Sequence, residues 1–364
     1  MAIPMSGALS GIKIADFTRV LAGPYATMLL ADLGAEVTKV ERPGIGDETR
    51  DWKPPVDSQG RSTYFLSVNR NKSGLALDLS KSADQARARE LILSSDVVIE
   101  NFGAGGMAKF GLDYKSLKDL KPDLIYCSIT GFGSSEIAAQ LPGYDMLVQA
   151  MSGLMHVTGA ESGEPTKAGV AVIDVIAGLH ACTGILAALR ARDEQGIGQL
   201  VEIDLFSSAL SALTNQSGAY VAGGIDPGRL GNHHPSIVPY GIFSASDRSI
   251  AIAIGNDRQF AKFAELVEIQ DPTYKENSNR VAHRDSLIKL INEKLQSKTA
   301  AEWIDLFRKN QIPAGPINTI AEAFKFAETI GLKPLVDIAG SKSVANPIKL
   351  SATPAEYRKA PPTL

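Results

Sequence analysis

The chain has 364 residues, of which 44% are hydrophobic and 21% charged, a composition that supports a large core and two or three domain-sized units. Its formal net charge of -3 lacks the basic excess of nucleic-acid-binding proteins, so we expect no nucleic-acid partner. The two cysteines, Cys127 and Cys182, show no metal-ligand spacing, which argues against a disulfide framework and against a metal site. No signal-peptide pattern opens the chain, and we expect a cytoplasmic protein.

Strands and helices alternate through the N-terminal third of the chain. "GIKIADF" predicts a strand, "GPYATMLLADLG" a helix and "AEVTKVER" a second strand. Pro24 suits the first turn of this helix, and Gly34 suits the left-handed position just after its end. Further strands are predicted in "GLALDLS", "DVVIENF" and "LIYCSITGFG", with helices at "SADQARARELILSS" and "DYKSLKDLKP". This order predicts an α/β fold with a doubly wound, Rossmann-like parallel sheet.

The second half predicts a smaller α/β domain. Residues 206–235 are rich in Ser, Ala and Gly with little periodicity and are interpreted as a linker. A strand "SIAIAIG" and three helices follow, the last opened by a capping box of Thr299 and Glu302. We therefore expect a large domain at 1–205, completed by a returning tail at 330–364, and a small domain at 236–329.

Asp174 is the only formal charge between Lys167 and Arg190, in the apolar run "AVIDVIAGLHACTGILAAL". The run is long enough to span a bilayer, but Asp174, His180 and a mean hydropathy of -0.01 for the chain favour a buried helix and no membrane partner. Asp174 could cap a helix beginning near Val175, or it could be a carboxylate nucleophile. The two roles are compatible.

Three further groups of residues could bind a ligand. Tyr144 and Asp145 precede a predicted helix, which Asp145 could cap. His233 and His234 follow the linker and could form a surface turn. Cationic side chains at strand ends could be solvated or could hold anions: Arg19, Arg42, Arg50, Arg70 and Lys72.

The turn after the first strand argues against a dinucleotide cofactor. Glu41 ends the second strand, as in NAD-binding sheets, but "TRVLAGP" lacks the G-x-G-x-x-G pattern. Arg42 suits a phosphate better than a ribose hydroxyl. A nucleotide-bearing ligand at the carboxyl edge of the sheet stays plausible.

Several stretches together resemble the family III CoA-transferases, also called the carnitine and bile-acid CoA-transferase family. They are "DFTRVLAGPYATMLLADLGAEVTKVERPGIGDETR", "NRNKSGLALDL", "VIENFGAGGMAKFGLDY", "YCSITGFG", "GYDMLVQAMSGLMHVTG" and "AGVAVIDVIAGLHACTGILAALRAR". The resemblance implies two chains threaded as an interlocked homodimer. It also implies acyl-CoA and carboxylic acid substrates and no permanently bound cofactor.

The resemblance also implies roles for single residues. Asp174 falls on the catalytic aspartate, which forms an aspartyl anhydride and then an aspartyl-CoA thioester. CoA-contact positions fall on Val20, Ala22, Arg42, Leu77, Asn101, Phe102 and Lys109. Lys109 stands where some relatives have Arg, so it would bind phosphate as a point charge rather than a fork.

Within the family, "NRNKSG", "YCSITGFG" and "SIVPY" are closest to members that use succinyl-CoA and glutarate. The second carboxylate of such an acid needs a cation, and the candidates are Arg19, Arg50, His233 and His234. Formyl-CoA:oxalate-type or carnitine-type transfer is an alternative, although "IGNDRQF" holds only Gly255 where the oxalate enzymes have a glycine-rich loop. A racemase of α-methylacyl-CoA would need His where Tyr144 stands, and a CoA-binding regulatory protein would not need Asp174.

Overall fold

The first six strands of the described chain form one parallel sheet. We describe it from a computed structural model that covers residues 7–103 and 105–364. The strand order is β3-β2-β1-β4-β5-β6, and every neighbouring pair is parallel. The strands are β1 (Lys13–Asp16), β2 (Glu36–Glu41), β3 (Lys72–Ala76), β4 (Val97–Glu100), β5 (Ile125–Thr130) and β6 (Leu200–Asp204). The predicted α/β fold with a doubly wound sheet is confirmed, and the order reverses between β1 and β4, where such sheets bind ligands at the carboxyl ends of the strands.

The sheet belongs to the larger of two units. Unit 1 comprises the described residues up to Leu154, with Lys167–Asp226 and Lys333–Leu364. Its helices are α1 (Ala22–Asp32), α2 (Thr63–Ser67), α3 (Ser82–Leu93), α4 (Tyr114–Leu117), α5 (Asp145–Met151), α7 (Val172–Gln195), α8 (Leu205–Ala212) and α9 (Asn215–Gly223), and α6 (Leu154–Val157) lies at its boundary. Gly34 follows α1 with φ +115°, a conformation that glycine adopts without strain.

Unit 2 comprises Met155–Thr166 and Pro227–Leu332. Its antiparallel sheet joins β7 (Tyr240–Ser244), β8 (Ser249–Ala253) and β9 (Ala314–Pro316). Its helices are α10 (Asp257–Leu266), α11 (Asn277–Ala282), α12 (Arg284–Leu295), α13 (Ala300–Lys309) and α14 (Ile320–Thr329). The capping box of Thr299 and Glu302 is present at the start of α13. A second box, Thr319 with Glu322, starts α14, which the same sequence pattern would have predicted.

The segment between the units differs from expectation. Residues 206–235, predicted as an aperiodic linker, contain most of α8 and all of α9, and unit 1 continues to Asp226. The Asp204 carboxylate accepts the Ser207 N–H at 2.6 Å and so caps α8, whose Leu205 and Ala209 are buried. Small residues obscured this periodicity, because Ser and Ala cover little apolar area.

Helix α7 is the central helix of unit 1. Its 24 residues are long and apolar enough for a membrane span by composition, a test that core helices also pass. It packs against α1, α5, α8, β5 and β6. A Cβ added at Gly178 would lie 2.6 Å from the Ala22 carbonyl oxygen, so the close approach of α7 to α1 depends on glycine there. Asp174 lies one turn before Gly178, on the same face of the helix.

The C-terminal residues return to unit 1. They begin with the antiparallel hairpin of β10 (Leu335–Ile338) and β11 (Ser341–Val344). The buried Asp32 carboxylate binds the Arg70 guanidinium at 2.7 Å and the Asn346 amide at 3.0 Å. Asn71 accepts the backbone N–H groups of Arg358 and Lys359 at 2.6 and 3.0 Å. Arg70 also donates to the Ser343 hydroxyl at 2.7 Å, so it helps to attach the tail to unit 1 and is not free for an anionic ligand.

Candidate active site

A cleft of about 270 Å³ opens at the carboxyl ends of β1, β4 and β5 in unit 1. Its walls are the loop after β1, the residues after β4, the turn after β5 and the beginnings of α5 and α7. It brings together eight of the residues singled out by sequence: Arg19, Val20, Ala22, Asn101, Phe102, Tyr144, Asp145 and Asp174. These side chains come from segments up to 155 positions apart in the chain.

The loop after β1 is held by hydrogen bonds from two directions. The Asn101 side chain accepts the Arg19 N–H at 2.9 Å and donates to the Arg19 carbonyl at 2.8 Å. Val20 has φ +68°, an uncommon conformation for a β-branched residue, and its N–H donates to both Asp47 oxygens at 3.3 Å. Such backbone strain persists only where the surroundings enforce it.

Two buried ion pairs support this loop from below. Lys72 binds Asp16 at 3.0 Å and Lys39 binds Asp47 at 2.9 Å, and all four side chains are fully buried. Burial alone would raise the pKa of Asp16, but the charges of Lys72 and Lys39 and hydrogen bonds from Thr18 and Thr27 lower it to about 2. Lys72, a candidate for anion binding by sequence, is therefore a structural cation.

Asp174 lies in the first turn of α7, which begins at Val172 rather than near Val175. No described residue donates a hydrogen bond to its carboxylate, so the expectation that Asp174 caps the helix is wrong. Burial raises its pKa to about 7, with a further contribution from the negative charge of Asp145. The side chain is thus ionisable near neutral pH.

Asp145 caps α7 although it belongs to another helix. Its Oδ1 accepts the N–H groups of Ile173 at 2.8 Å and Asp174 at 3.1 Å, whereas it makes no capping bond in its own helix, α5. Asp145 thus occupies two N–H groups of the helix terminus, which are then not available to stabilise an oxyanion. A cap across 28 residues leaves no local sequence pattern.

The titration of Asp174 predicts an effect on stability. Since its folded pKa lies above the ordinary value of 3.8, the folded chain holds a proton that the unfolded chain loses, and stability falls as pH rises from about 4 to about 7. We expect Asp174→Asn to stabilise the protein at pH 8 by about 1 to 3 kcal/mol, allowing for partial exposure, and to have little effect at pH 4. Thermal melts across this range measure it. Asp193→Asn, an exposed change on the same helix, should leave the pH dependence intact, and an equal effect at both pH values would contradict the prediction.

The Arg19 guanidinium lies at the same cleft. Its Nη1 binds the Glu48 carboxylate at 2.5 Å, and its Cζ lies 5.2 Å from the centre of the Phe102 ring. Its buried Nε has no hydrogen-bond partner among the described residues. Because the Arg19 side chain is 42% exposed, the outer part of its guanidinium can reach an anion in the cleft. Glu48 was not singled out by sequence, where it is one of several charges in "GDETR".

Besides Arg70 and Lys72, four predicted residues of unit 1 lie outside this cleft. Arg42 is exposed in the turn after β2, and Lys109 is exposed after β4. Leu77 is buried beyond the end of β3. Arg50 binds Glu41 through two hydrogen bonds of 2.7 Å, donates to the Pro362 carbonyl and stacks on Phe65, with 3.7 Å to the ring centre. The expectation that Arg50 is available to a substrate carboxylate is therefore not supported by its contacts.

His233 and His234 belong to unit 2. The His233 ring packs edge-on against Phe243, and burial lowers its pKa, with Arg284 adding to the effect. His234 packs against Tyr240, and its Nδ1 accepts the Ser236 N–H at 3.0 Å. These contacts account for both rings within their own unit.

Besides Glu48, three features that shape or support the cleft were missed from the sequence. Gly131 and Gly143 approach so closely that a Cβ on Gly131 would lie 2.3 Å from the Gly143 Cα, which brings the turn after β5 against the start of α5. Asp47 supports Val20, and Gln149 binds Asp145. The glycines of "TGFG" and "PGYD" are the only sequence signal among these, because the other contacts are long-range.

Comparisons with known proteins identify the family of this chain. The model of CoA-transferase family III matches residues 9–364. The succinyl-CoA:glutarate CoA-transferase of Mus musculus is 40% identical, covering 98% of this chain and 84% of its own length. The succinate--glutarate CoA-transferase of Agrobacterium fabrum is 40% identical, with 98% and 92% covered. The crystal structure of a CAIB/BAIF family protein from Brucella suis superposes with a TM-score of 0.88 at 40% identity, covering 99% of this chain and 97% of that one.

The resemblance inferred from the motifs is thereby confirmed over nearly the whole chain, including the segments that build the cleft. Members of this family use CoA thioesters as substrates. The chain belongs to CoA-transferase family III and is a CoA-transferase.

Proposed function

We propose that this enzyme moves CoA from succinyl-CoA to a short dicarboxylate such as glutarate, with Asp174 as covalent nucleophile. The observation that carries the proposal is the Asp174 carboxylate itself. It lies in a cleft at the ligand-binding edge of the sheet, has no hydrogen-bond donor among the described residues and has its pKa raised to about 7 by burial. A carboxylate so little stabilised is a better nucleophile than a solvated one.

The reaction proceeds in four balanced displacements. A carboxylate oxygen of Asp174 attacks the thioester carbonyl carbon, the C–S bond breaks, and a mixed anhydride and CoA thiolate form. The thiolate attacks the aspartyl carbonyl and releases succinate, which leaves an aspartyl-CoA thioester. The glutarate carboxylate attacks this thioester and expels the thiolate, and the thiolate then attacks the glutaryl carbonyl and restores Asp174. No proton, electron or water is consumed in these steps. Because water would hydrolyse the anhydride or the thioester, its exclusion from the cleft preserves the thioester.

CoA binds with its reactive end in the cleft and its nucleotide outside it. Val20, Ala22, Asn101 and Phe102 line the cleft beside Asp174 and contact the part of CoA near the sulfur. Arg42, Leu77 and Lys109 lie further out, beyond the carboxyl ends of β2, β3 and β4. The exposed Arg42 and Lys109 side chains are suited to phosphate groups.

Arg19 binds the second carboxylate of the dicarboxylate substrate. Its guanidinium already holds one carboxylate, that of Glu48, and the side chain is 42% exposed, so its remaining N–H groups can donate to a second carboxylate in the cleft. A charge-assisted hydrogen bond contributes about 1.5 to 3 kcal/mol, roughly a 10- to 150-fold preference over a monocarboxylate of equal length. Oxalate should be a poor acceptor, since its two carboxylates are directly bonded and the second cannot reach a distant cation.

Substitution of Arg19 tests this assignment. We expect Arg19→Met to lower kcat/KM for glutarate and succinate about 10- to 150-fold and to leave butyrate nearly unchanged, because only the dicarboxylates lose a contact. The assay uses succinyl-CoA with glutarate, succinate, itaconate, oxalate, butyrate and carnitine, and mass spectrometry of the CoA products. Arg42→Ala is the matched control, and it should raise the KM for acyl-CoA equally with every acceptor. If wild-type enzyme uses butyrate or carnitine as well as glutarate, the dicarboxylate proposal fails.

The protein acts as an interlocked homodimer in the cytoplasm. Exposed apolar side chains on unit 1 support an interface between chains, among them Met146, Met151, Leu179, Tyr220 and Val221. Sedimentation at micromolar concentration should give twice the chain mass of 38.7 kDa, and a monomer there would contradict the dimer. Two buried cysteines without a disulfide fit a reducing compartment.

A further inference from the structure

The start of α7 is capped by a charge from another helix. Asp145 Oδ1 binds the N–H groups of Ile173 and Asp174, at 2.8 and 3.1 Å. Its Oδ2 accepts from Gln149 Nε2 at 2.5 Å, and Gln149 Oε1 accepts the Ala168 N–H at 2.8 Å. Gln149 is only 1% exposed. One carboxylate and one amide thus hold both the first turn of α7 and the segment leading into it.

This arrangement changes what the helix terminus offers to Asp174. The free N–H groups of a first turn ordinarily stabilise a carboxylate located there and lower its pKa. Here the nearest two are bound by Asp145, whose own charge repels that of Asp174. The other charged or titratable groups around the cleft are Tyr144, the paired Arg19 and Glu48, and Tyr64 on α2, whose pKa burial and the nearby carboxylates raise to about 12. Of the groups around Asp174, Asp145 is the one bonded directly to its backbone.

We propose that Asp145 is a positioning residue for catalysis: it fixes the backbone at Asp174, occupies the N–H groups that would otherwise solvate its carboxylate, and so keeps the nucleophile unsolvated. Gln149 holds Asp145 in place. This inference rests on the proposed function of Asp174 as nucleophile. It assigns to Asp145, the second residue of the Tyr144–Asp145 motif, a role distinct from contact with substrate.

Three substitutions separate the parts of this role. Asp145→Asn keeps an oxygen acceptor for the two N–H groups and removes the charge. Asp145→Ala removes both the acceptor and the charge. Asp145→Glu keeps the charge on a longer side chain. The matched control is Asp247→Asn in unit 2, since the Asp247 carboxylate also reaches from another segment to a helix start, where it accepts the Ala300 N–H at 2.7 Å.

The measurement is the pH profile of kcat/KM for succinyl-CoA, together with intact-mass detection of the protein–CoA adduct. In the wild type the profile should rise through about pH 7 as Asp174 ionises. Asp145→Asn should move its midpoint down by about half a unit to one unit, with the KM for acyl-CoA within twofold. Asp145→Ala should lower kcat about 10- to 100-fold through loss of alignment. Asp145→Glu should return the midpoint towards the wild-type value, and Asp247→Asn should not move it.

The outcomes are distinguishable. The positioning role would be overturned if Asp145→Asn kept the wild-type midpoint and adduct yield. It would also be overturned if Asp145→Asn only lowered the melting temperature, as Asp247→Asn does. Neither result would contradict the role of Asp174 as nucleophile. If Asp145→Ala does not fold, the Asn and Glu variants decide the question by the midpoint alone. Absence of a wild-type adduct, with activity retained in Asp174→Ala, would overturn the proposed function and this inference together.

Discussion

Asp174→Asn should abolish CoA transfer, with a loss of at least about 10³-fold in kcat and a Kd for CoA within about threefold of wild type. The amide cannot form the anhydride, and this loss corresponds to about 4 kcal/mol of transition-state stabilisation. Binding should persist because the loop at Val20 and the side chain of Asn101 do not depend on Asp174 for their hydrogen bonds. Initial rates and calorimetric titration with CoA measure the two quantities.

Trapping experiments should locate the covalent bond. Incubation with succinyl-CoA should add CoA, less one water, to the wild-type chain, and hydroxylamine should convert the same residue to a hydroxamate. Neither product should form in Asp174→Asn or in Asp174→Ala. The Ala variant is included because deamidation of the Asn variant would regenerate Asp174. Asp247→Asn should label like the wild type. If the Asn and Ala variants retain more than about a tenth of the wild-type rate, Asp174 is not the nucleophile.

The second large effect is expected beneath the loop after β1, where Asp16→Asn should lower the free energy of unfolding by about 3 to 5 kcal/mol at pH 7. The Asp16 carboxylate and the Lys72 ammonium are fully buried and 3.0 Å apart. Removal of one charge leaves the other buried without a counter-charge, and this cost is a large part of the stability of an ordinary domain. Urea unfolding of both proteins measures the difference.

The pH dependence of this effect has a defined sign. Because the folded pKa of Asp16 is about 2, below the ordinary 3.8, its stabilising contribution is complete above about pH 4 and is lost as pH falls towards 2. Asp16→Asn should lack that loss. The exposed Asp305–Lys309 pair is the control, and Asp305→Asn should leave the free energy of unfolding nearly unchanged.

A double substitution sharpens the test. Asp16→Leu with Lys72→Met removes both charges and should be more stable than Asp16→Asn, since no unpaired charge stays buried. If Asp16→Asn costs no more than Asp305→Asn, or the double variant is the less stable of the two, the buried pair does not act as described. A loosened loop at Val20 should also raise the KM for acyl-CoA in Asp16→Asn.

The sequence by itself determined the elements that depend on neighbouring residues. The strands β1 to β5 and the helices α1, α3 and α4 followed from the local sequence pattern, whereas α2 was missed. Gly34 and the Thr299 capping box marked helix ends, and Asp174 was conspicuous because nothing charged lies near it in the chain. Each of these signals extends over a few residues. Motifs shared with a known family then supplied the CoA chemistry, which periodicity could not have indicated.

Tertiary structure alone decided which side chains meet. The decisive contacts join residues that are 9 to 312 positions apart. They are the cap of α7 by Asp145, the bonds of Arg50 to Glu41 and Pro362, and the bonds of Asn71 to the tail. In the sequence, Arg50 and Arg19 looked alike as cations near strand ends. In the structure, Arg50 is bound to the buried Glu41 carboxylate, whereas Arg19 faces a cleft. A charge is chemically available only if folding leaves it without a better partner, and that depends on contacts between distant segments, which a linear pattern does not contain.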